Sequence, residues 1–329
     1  MPVRIAKNLE DNMKVGFIGL GNVGAKLAGS LVRNGFDTVV HDLSKEAAEP
    51  LVTAGAAWAN SPKEMAEICE VVITCLPSPA ACAAVVEGEN GLIEGFSKGD
   101  IWLEMSTTDE AEVKRLGAKL EPLGVMAMDC PVSGGCHRAA TGNISIFAGG
   151  PRESFDRALP LLTRLGRRVL HTGPLGSASI LKVMTNYLAT ANLLTVCEAL
   201  TTMKGAGLDM ATTYEAIKIS SGTSFVHETE SQVILNGSRC VDFTMDLVLK
   251  DIGLFQIIAE RAGIDLEISP LIIDLMKDGQ NRFGARAQSD RMIERFEEAT
   301  GLEIRADGFP AELMDDEPEE EGYEIKPAT

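Results

Sequence analysis

The run "FIGLGNVGAKLAGSLVRNG" (17–35) sets Gly19, Gly21 and Gly24 in G-x-G-x-x-G spacing between a strand-like and a helix-like segment. Each glycine meets a separate need of a dinucleotide loop. Gly19 permits the tight turn, Gly21 lets a pyrophosphate approach the backbone, and Gly24 lets the helix pack close to the sheet. With Leu20, Asn22 and Val23 between them, the loop opens a helix whose free N–H groups and positive dipole end suit phosphates. Asp42 closes the next strand-like run, 21 positions after Gly21. A carboxylate there accepts from both ribose hydroxyls of NAD and repels a 2′-phosphate. "HDLS" supplies no arginine beside it, and Lys45 is the nearest downstream cation. NAD is therefore expected, with NADP as the less favoured cofactor. The alternative role for Asp42 is to cap the helix beginning near Ser44.

The second chemical signal is "SILKVMTNYLATANLLTVCEAL" (179–200), apolar on nearly every face yet carrying Lys182 and Asn186 one turn apart. Residues at i and i+4 share a helix face. A lysine beside a substrate hydroxyl can act as general acid and base for alcohol–carbonyl interconversion, with burial lowering its pKa toward the working pH. Asn186 would orient the same hydroxyl or the ammonium. The plainer alternative is a lysine that snorkels to water. The third signal is "DCPVSGG" (129–135), where Ser133, Gly134 and Gly135 offer a hydroxyl and two accessible N–H groups beyond a strand end. Alone, it reads equally as an ordinary Ser-Gly-Gly turn.

Positioning these residues requires a sheet. Strand-length apolar runs at 14–20, 38–42, 71–76, 101–105, 125–130 and 144–150 alternate with helix-like segments at 25–35, 44–55, 61–70, 109–124 and 151–166. Alternating βα units predict a Rossmann-type, doubly wound parallel sheet. Sheet-like patterning then stops, and after about residue 177 the chain reads as helical. The expected division is a loose arm at 1–12, a dinucleotide-binding domain at 13–176, an all-helical substrate and oligomerisation domain at 177–311, and an acidic, disordered tail at 312–329.

Of the net charge of −18, eight charges come from acids in "ELMDDEPEEEGYE" (312–324), which holds no lysine or arginine. The acidic balance of the rest argues against nucleic acid or an anionic membrane as partner. Seven scattered cysteines with no CxxC fit a reducing, cytoplasmic setting. No signal peptide, membrane span or metal site is expected. The all-round apolar helix predicts a homodimer or homotetramer built through the helical domain.

In order, "GFIGLGNVGAKLAGSLVRNG", "DCPVSGG", "GPLGSASILKVMTN" and "LVLKDIGL" (247–254) resemble the β-hydroxyacid dehydrogenases, the group containing 3-hydroxyisobutyrate dehydrogenase. The resemblance spans about residues 13–300. It implies a Rossmann domain joined to a helical domain by a long helix, and an oxidoreductase interconverting a small β-hydroxy acid and its semialdehyde. Lys182 falls on the family's catalytic lysine, Asn186 on its substrate-binding asparagine, and Ser133–Gly135 on its substrate loop. Lys250 falls on a lysine near the cofactor, while Asp251 would hold its helix. "CLPSP" and "EMSTTD" fall on cofactor-lining loops, which points to Leu76, Pro77 and Thr107. Asp42-Leu43-Ser44 resembles the NAD-preferring members. Cys136, His137, Arg138, His227 and Glu228 depart from the family's pattern. Arg138 would meet a second anionic group on the substrate or form a surface ion pair, and His227 and Glu228 would set specificity or lie on a solvated helix face. The competing readings are a short-chain semialdehyde reductase of the tartronate or succinate semialdehyde type using NAD(P)H, and a non-catalytic NAD-binding sensor.

Overall fold

The computed structural model describes residues 13–327, so the expected arm at 1–12 lies outside the described residues. The chain forms two compact units. One runs to Lys182 and takes back the chain from Asp316, and the other is Val183–Asp315.

The first unit is built on one sheet. Its strands are β1 (Lys14–Ile18), β2 (Asp37–His41), β3 (Ala57–Trp58), β4 (Val71–Thr74), β5 (Ile101–Glu104), β6 (Met126–Asp129), β7 (Val132–Ser133), β8 (Ser145–Gly149), β9 (Arg168–Gly173) and β10 (Tyr323–Ile325). The spatial order is β10-β9-β8-β6-β5-β4-β1-β2-β3, with β7 pairing β8. All neighbours run parallel except β6–β8 and β7–β8. The strands are apolar throughout because helices cover both faces. On one face α1 (Gly24–Arg33), α2 (Lys45–Thr53) and α7 (Arg152–Leu165) bury Leu27, Leu31, Leu51, Phe155 and Leu161 against Val15, Phe17 and Ile73. On the other, α3 (Pro62–Ile68), α4 (Pro79–Glu87) and α5 (Glu110–Leu120) bury Met65, Cys82, Val86, Leu116 and Leu120 against Ile18, Val72 and Trp102. Helix α6 (Gly135–Ala140) follows β7.

Helix α8 (Ser177–Gly205) runs unbroken from the first unit into the second, where α9 (Met210–Lys218), α10 (Phe225–Asn236), α11 (Met245–Ala262), α12 (Ile268–Phe283) and α13 (Glu294–Thr300) complete an all-helical body. Its core gathers Leu193, Cys197, Leu200, Ile234, Met245, Ile252, Met276 and Met292. By length and composition α8 is apolar enough to cross a membrane, and 39% of its most apolar window is buried within the chain.

Two expectations are corrected. Sheet structure does not stop after the helix at 151–166: "RVLHTG" forms β9, whose alternation is masked by Arg168 and His171. The acidic segment is not a disordered tail over its length. Residues 323–325 add β10 parallel to β9, with Tyr323 opposite Arg168 and Ile325 opposite Leu170. Five glutamates of the segment pair with arginines of this unit: Glu317 with Arg138 and Arg168, Glu319 with Arg33, Glu320 with Arg167, Glu321 with Arg164, and Glu324 with Arg152. Composition predicted disorder, but this segment meets its counter-charges inside its own chain.

Candidate active site

The glycine loop leaves β1 at the carboxyl edge of the parallel strands, where open α/β sheets bind ligands. Gly19 has φ +96°, and a Cβ there would sit 2.2 Å from the Cys75 carbonyl oxygen. A Cβ on Gly24 would sit 2.0 Å from the Gly19 carbonyl oxygen, so the first turn of α1 closes directly on the loop. At Gly21 a Cβ would meet nothing within 4 Å, and Gly21 and Asn22 are exposed. This bare backbone at a helix start fits a dinucleotide pyrophosphate. Asp42 accepts hydrogen bonds from Leu20 N at 2.7 Å and Ser44 N at 2.9 Å. It therefore ties the second strand's end to the glycine loop and shapes the entry to α2. The Lys45 ammonium lies 5.8 Å from the centroid of Trp58.

Leu76 and Pro77 follow β4, and Thr107 follows β5. A buried network the sequence did not disclose joins these two loops. The Glu104 carboxylate accepts from Thr74 Oγ1 at 2.6 Å, Cys82 Sγ at 2.8 Å and Ser106 N at 2.7 Å, and Trp102 Nε1 donates to Thr74 Oγ1 at 2.9 Å. The Ser106 hydroxyl in turn accepts from Leu76 N at 2.7 Å. Glu104 is wholly buried, and burial pushes its carboxyl up against the downward pull of these donors. Burial, and then the same carboxylate, pushes the Cys82 thiol up, so Cys82 stays protonated as a donor.

Ser133 ends β7, and Gly134 and Gly135 turn the chain into α6 with φ +130° and +86°. Just upstream, Asp129 is fully buried and holds the start of α8. Its Oδ1 accepts from Gly176 N at 2.8 Å, and its Oδ2 accepts from Ser179 N at 2.7 Å and Ser179 Oγ at 2.9 Å. Ser179 N is one of the orphan donors of the first turn of α8 and Gly176 N lies just ahead of it, so the side chain that ends β6 caps the helix start. A Cβ on Gly149 would lie 2.4 Å from Asp129 Oδ1, which explains a glycine in the middle of the neighbouring strand's end. Lys182 lies within the first two turns of the helix so anchored and is 7% exposed.

One turn further, Asn186 Nδ2 donates to Asp251 Oδ2 on α11, and Lys250 Nζ lies 2.9 Å from Asp251 Oδ1. Asn186, Lys250 and Asp251 thus meet in the helical unit, with Asp251 2% exposed. The glycine loop, Asp42, Leu76, Pro77, Thr107 and Ser133–Gly135 belong to the sheet unit.

The departures from the family pattern resolve differently. His227 is buried, with Nε2 2.9 Å from the Tyr214 carbonyl oxygen and Nδ1 3.1 Å from Ser231 Oγ, and burial pulls its pKa down. It is a satisfied core histidine. Glu228 is exposed and accepts from Thr223 Oγ1 at 3.0 Å. Arg138 pairs with Glu317 at 3.2 Å. Among the described residues no group of three His, Cys, Asp or Glu side chains is placed to hold a metal ion.

Residues 14–173 match the model of the NAD-binding domain of 6-phosphogluconate dehydrogenase, and residues 176–296 match that of the NAD-binding domain of NADP-dependent 3-hydroxyisobutyrate dehydrogenase. The mitochondrial 3-hydroxyisobutyrate dehydrogenase of Rattus norvegicus is 31% identical over 258 residues, covering 76% of this chain and 77% of that protein. The chain belongs to the β-hydroxyacid dehydrogenase family. The 2-(hydroxymethyl)glutarate dehydrogenase of Eubacterium barkeri is 27% identical over 297 residues, covering 90% of this chain and 99% of its own. The crystal structure of a 3-hydroxyisobutyrate dehydrogenase from Salmonella typhimurium superposes with a TM-score of 0.79 at 25% identity, covering 86% of this chain and all of that one. The protein is accordingly an NAD-binding oxidoreductase with the Rossmann and helical architecture of β-hydroxyacid dehydrogenases.

Proposed function

We propose that this dehydrogenase uses NAD in preference to NADP to interconvert a small β-hydroxy acid and its semialdehyde, with Lys182 as general acid and base. Bound NAD supplies the hydride acceptor. The chain's own part is to hold the acid and move one proton. Ser133, Gly134, Gly135 and Asn186 bind and orient the substrate. The neutral Lys182 amine takes the hydroxyl proton during oxidation, and its ammonium returns that proton to the carbonyl oxygen during reduction. Leu20, Asn22, Val23 and the three loop glycines hold the pyrophosphate, Asp42 the ribose, and Leu76, Pro77, Thr107 and Lys250 line the cofactor.

The observation that carries this reading is the anchoring of a buried lysine. Asp129 spends three hydrogen bonds fixing the start of α8, and Lys182 follows within two turns at 7% exposure. A snorkelling lysine has no use for such anchoring. The relatives' named substrates, 3-hydroxyisobutyrate and 2-(hydroxymethyl)glutarate, share an HOCH2–CH–COO⁻ unit, which is the class proposed here. The test is an NAD-linked panel of 3-hydroxyisobutyrate, 2-(hydroxymethyl)glutarate, L-serine and, in reverse, tartronate and succinate semialdehydes, run on wild type and on Lys182→Ala, Lys182→Met and Lys182→Arg. Each variant should lose about 10²–10⁴-fold in kcat, the scale of a lost general acid–base. Arginine should not rescue, because a guanidinium keeps its proton near neutral pH. The NAD dissociation constant should stay within about twofold, since the glycine loop is untouched. Turnover within a few-fold of wild type would overturn the assignment of Lys182.

A further inference from the structure

We propose that Glu317, in the acidic C-terminal segment, is a positioning residue for the substrate loop and sets the affinity for the hydroxy acid. The proposal rests on the reading of Ser133–Gly135 as that loop.

The chain of contact is short. The Arg138 side chain lies against the loop: a Cβ on Gly134 would sit 3.3 Å from Arg138 Cδ and 3.7 Å from its Cβ. At its far end Arg138 Nη2 donates to Glu317 Oε1 at 3.2 Å, with the two side chains only 24% and 38% exposed. Glu317 is held from three sides. Its other carboxylate oxygen lies 3.5 Å from Arg168 Nη2 on β9, and its backbone carbonyl accepts from Asn143 Nδ2 at 2.8 Å. Asn143 closes the turn after α6, donating its own N–H to the Arg138 carbonyl at 2.9 Å. One acidic residue thus grips the helix that begins at Gly135 by its arginine and by the turn that ends it.

The rest of the segment keeps Glu317 in place. Gly322 N donates to the Thr163 carbonyl at 2.8 Å and Tyr323 N to the Arg167 carbonyl at 3.0 Å. A Cβ at Gly322 would lie 2.0 Å from the Gly166 carbonyl oxygen, so the segment crosses α7's end at backbone distance. Glu324 pairs with Arg152 at 2.6 Å at the far end of this path. Single surface ion pairs contribute little. Here a ladder of backbone hydrogen bonds has already ordered the segment, so the Glu317 pair forms without ordering two free side chains and a free chain.

Loss of the Glu317 carboxylate removes one anchor of the guanidinium, and the stem that packs on Gly134 is held less firmly. A loop that must present a hydroxyl and two N–H groups to one carboxylate is sensitive to displacements of this size. The effect belongs to substrate binding, because neither Lys182 nor the glycine loop is touched.

The experiment compares full-length wild type, Glu317→Gln, Glu324→Gln and Ser133→Ala, measuring KM, kcat and NAD dissociation constant with 3-hydroxyisobutyrate, 2-(hydroxymethyl)glutarate and L-serine. Glu317→Gln should raise KM about tenfold for the compound turned over, the scale of one charge-assisted hydrogen bond. Its kcat and NAD binding should stay within about twofold, and Glu324→Gln, which loosens the same strand away from the loop, should leave KM within about twofold. An equal rise of KM in both glutamine variants would show a strand that matters only as a whole, and would overturn the role of Glu317. A KM unchanged in Glu317→Gln while Ser133→Ala raises it would also overturn that role and leave the substrate loop standing. A KM unchanged in both would overturn the substrate-loop reading and this proposal together.

Discussion

The Asp42 carboxylate receives two backbone N–H groups, and an ionised carboxylate offers about four acceptor sites. Capping and ribose binding, alternatives on sequence grounds, are therefore compatible on one side chain. Its unused lone pairs favour ribose hydroxyls and repel a 2′-phosphate, while the nearest cation, Lys45, lies over Trp58. The expected selectivity is at least about tenfold in kcat/KM for NAD over NADP, the scale of one repelled charge, and steady-state kinetics with equal values for the two cofactors would refute it. Glu104 carries a second prediction. Glu104→Gln puts an amide N–H₂ where a carboxylate oxygen accepts from donors, and leaves a buried donor unmatched. The Ser106–Leu76 link should then loosen, and the NAD dissociation constant should rise about five- to tenfold in a fluorescence titration. An unchanged constant would mean the network only braces the sheet. Gly19, Gly21, Gly24, Asp42 and Lys182 can be nominated from the sequence because their signals are local: a spacing, a strand end, a polar pair on an apolar helix. Glu104 and Asp129 were not, because their partners lie up to 50 residues away and the side chains resemble ordinary strand-end acids until those partners are brought in.

At the level of elements, the alternating strands and helices from β1 to α7 could be read from runs of apolar residues and their glycine, serine and proline boundaries. The misses share a cause. Strands β3 and β7 are two residues long, β9 carries Arg168 and His171, and β10 is a three-residue edge strand whose partner β9 lies about 150 residues back in the chain. None has a period of its own. Helix α10 contributes a feature that shows in the pH dependence of stability. Glu230 is half-buried, and its buried Oε2 has no hydrogen-bond partner among the described residues. Burial, then the charge of Asp290, pushes its carboxyl up to about 8, and burial likewise raises Asp290. Arg239 faces Asp290, and the Cys197 thiol faces both acids. From the ordinary 4.5 of an unfolded glutamate up to about 8, the folded chain keeps a proton that the unfolded chain has released. Stability must therefore fall as pH rises through that window. Urea midpoints measured from pH 5 to 8.5 should decline, and Glu230→Gln should flatten the decline. A wild-type slope retained in the variant would place its origin elsewhere.

For the whole molecule, the division into a sheet unit and a helical unit was readable from where strand-like runs give way to helix-like ones; the boundary read at 176 falls at the start of α8, whose first residues to Lys182 pack with the sheet unit. Much of α8 is left uncovered by its own chain. Only 39% of its most apolar window is buried, and Leu188 on it is 50% exposed. Ile257, Ile264, Ile268 and Leu271 stand exposed along the end of α11 and the start of α12. Uncovered apolar surface of this kind on one domain is unfavourable in water and marks association. The net charge of −18 opposes it, because two like-charged copies repel. The two effects separate by salt. Burial of apolar area is little affected by added KCl, whereas repulsion is screened within about 8 Å at 0.15 M. The expected species at micromolar concentration is a dimer or tetramer, twice or four times 35.1 kDa by light scattering, and it should not dissociate as KCl rises from 0.05 to 0.5 M. Leu188→Glu should shift it toward monomer, since an unpaired carboxylate would be buried in the contact. A monomer at both salt concentrations would show that the exposed face of α8 is tolerated in water, and would remove the case for the helical unit as an assembly surface.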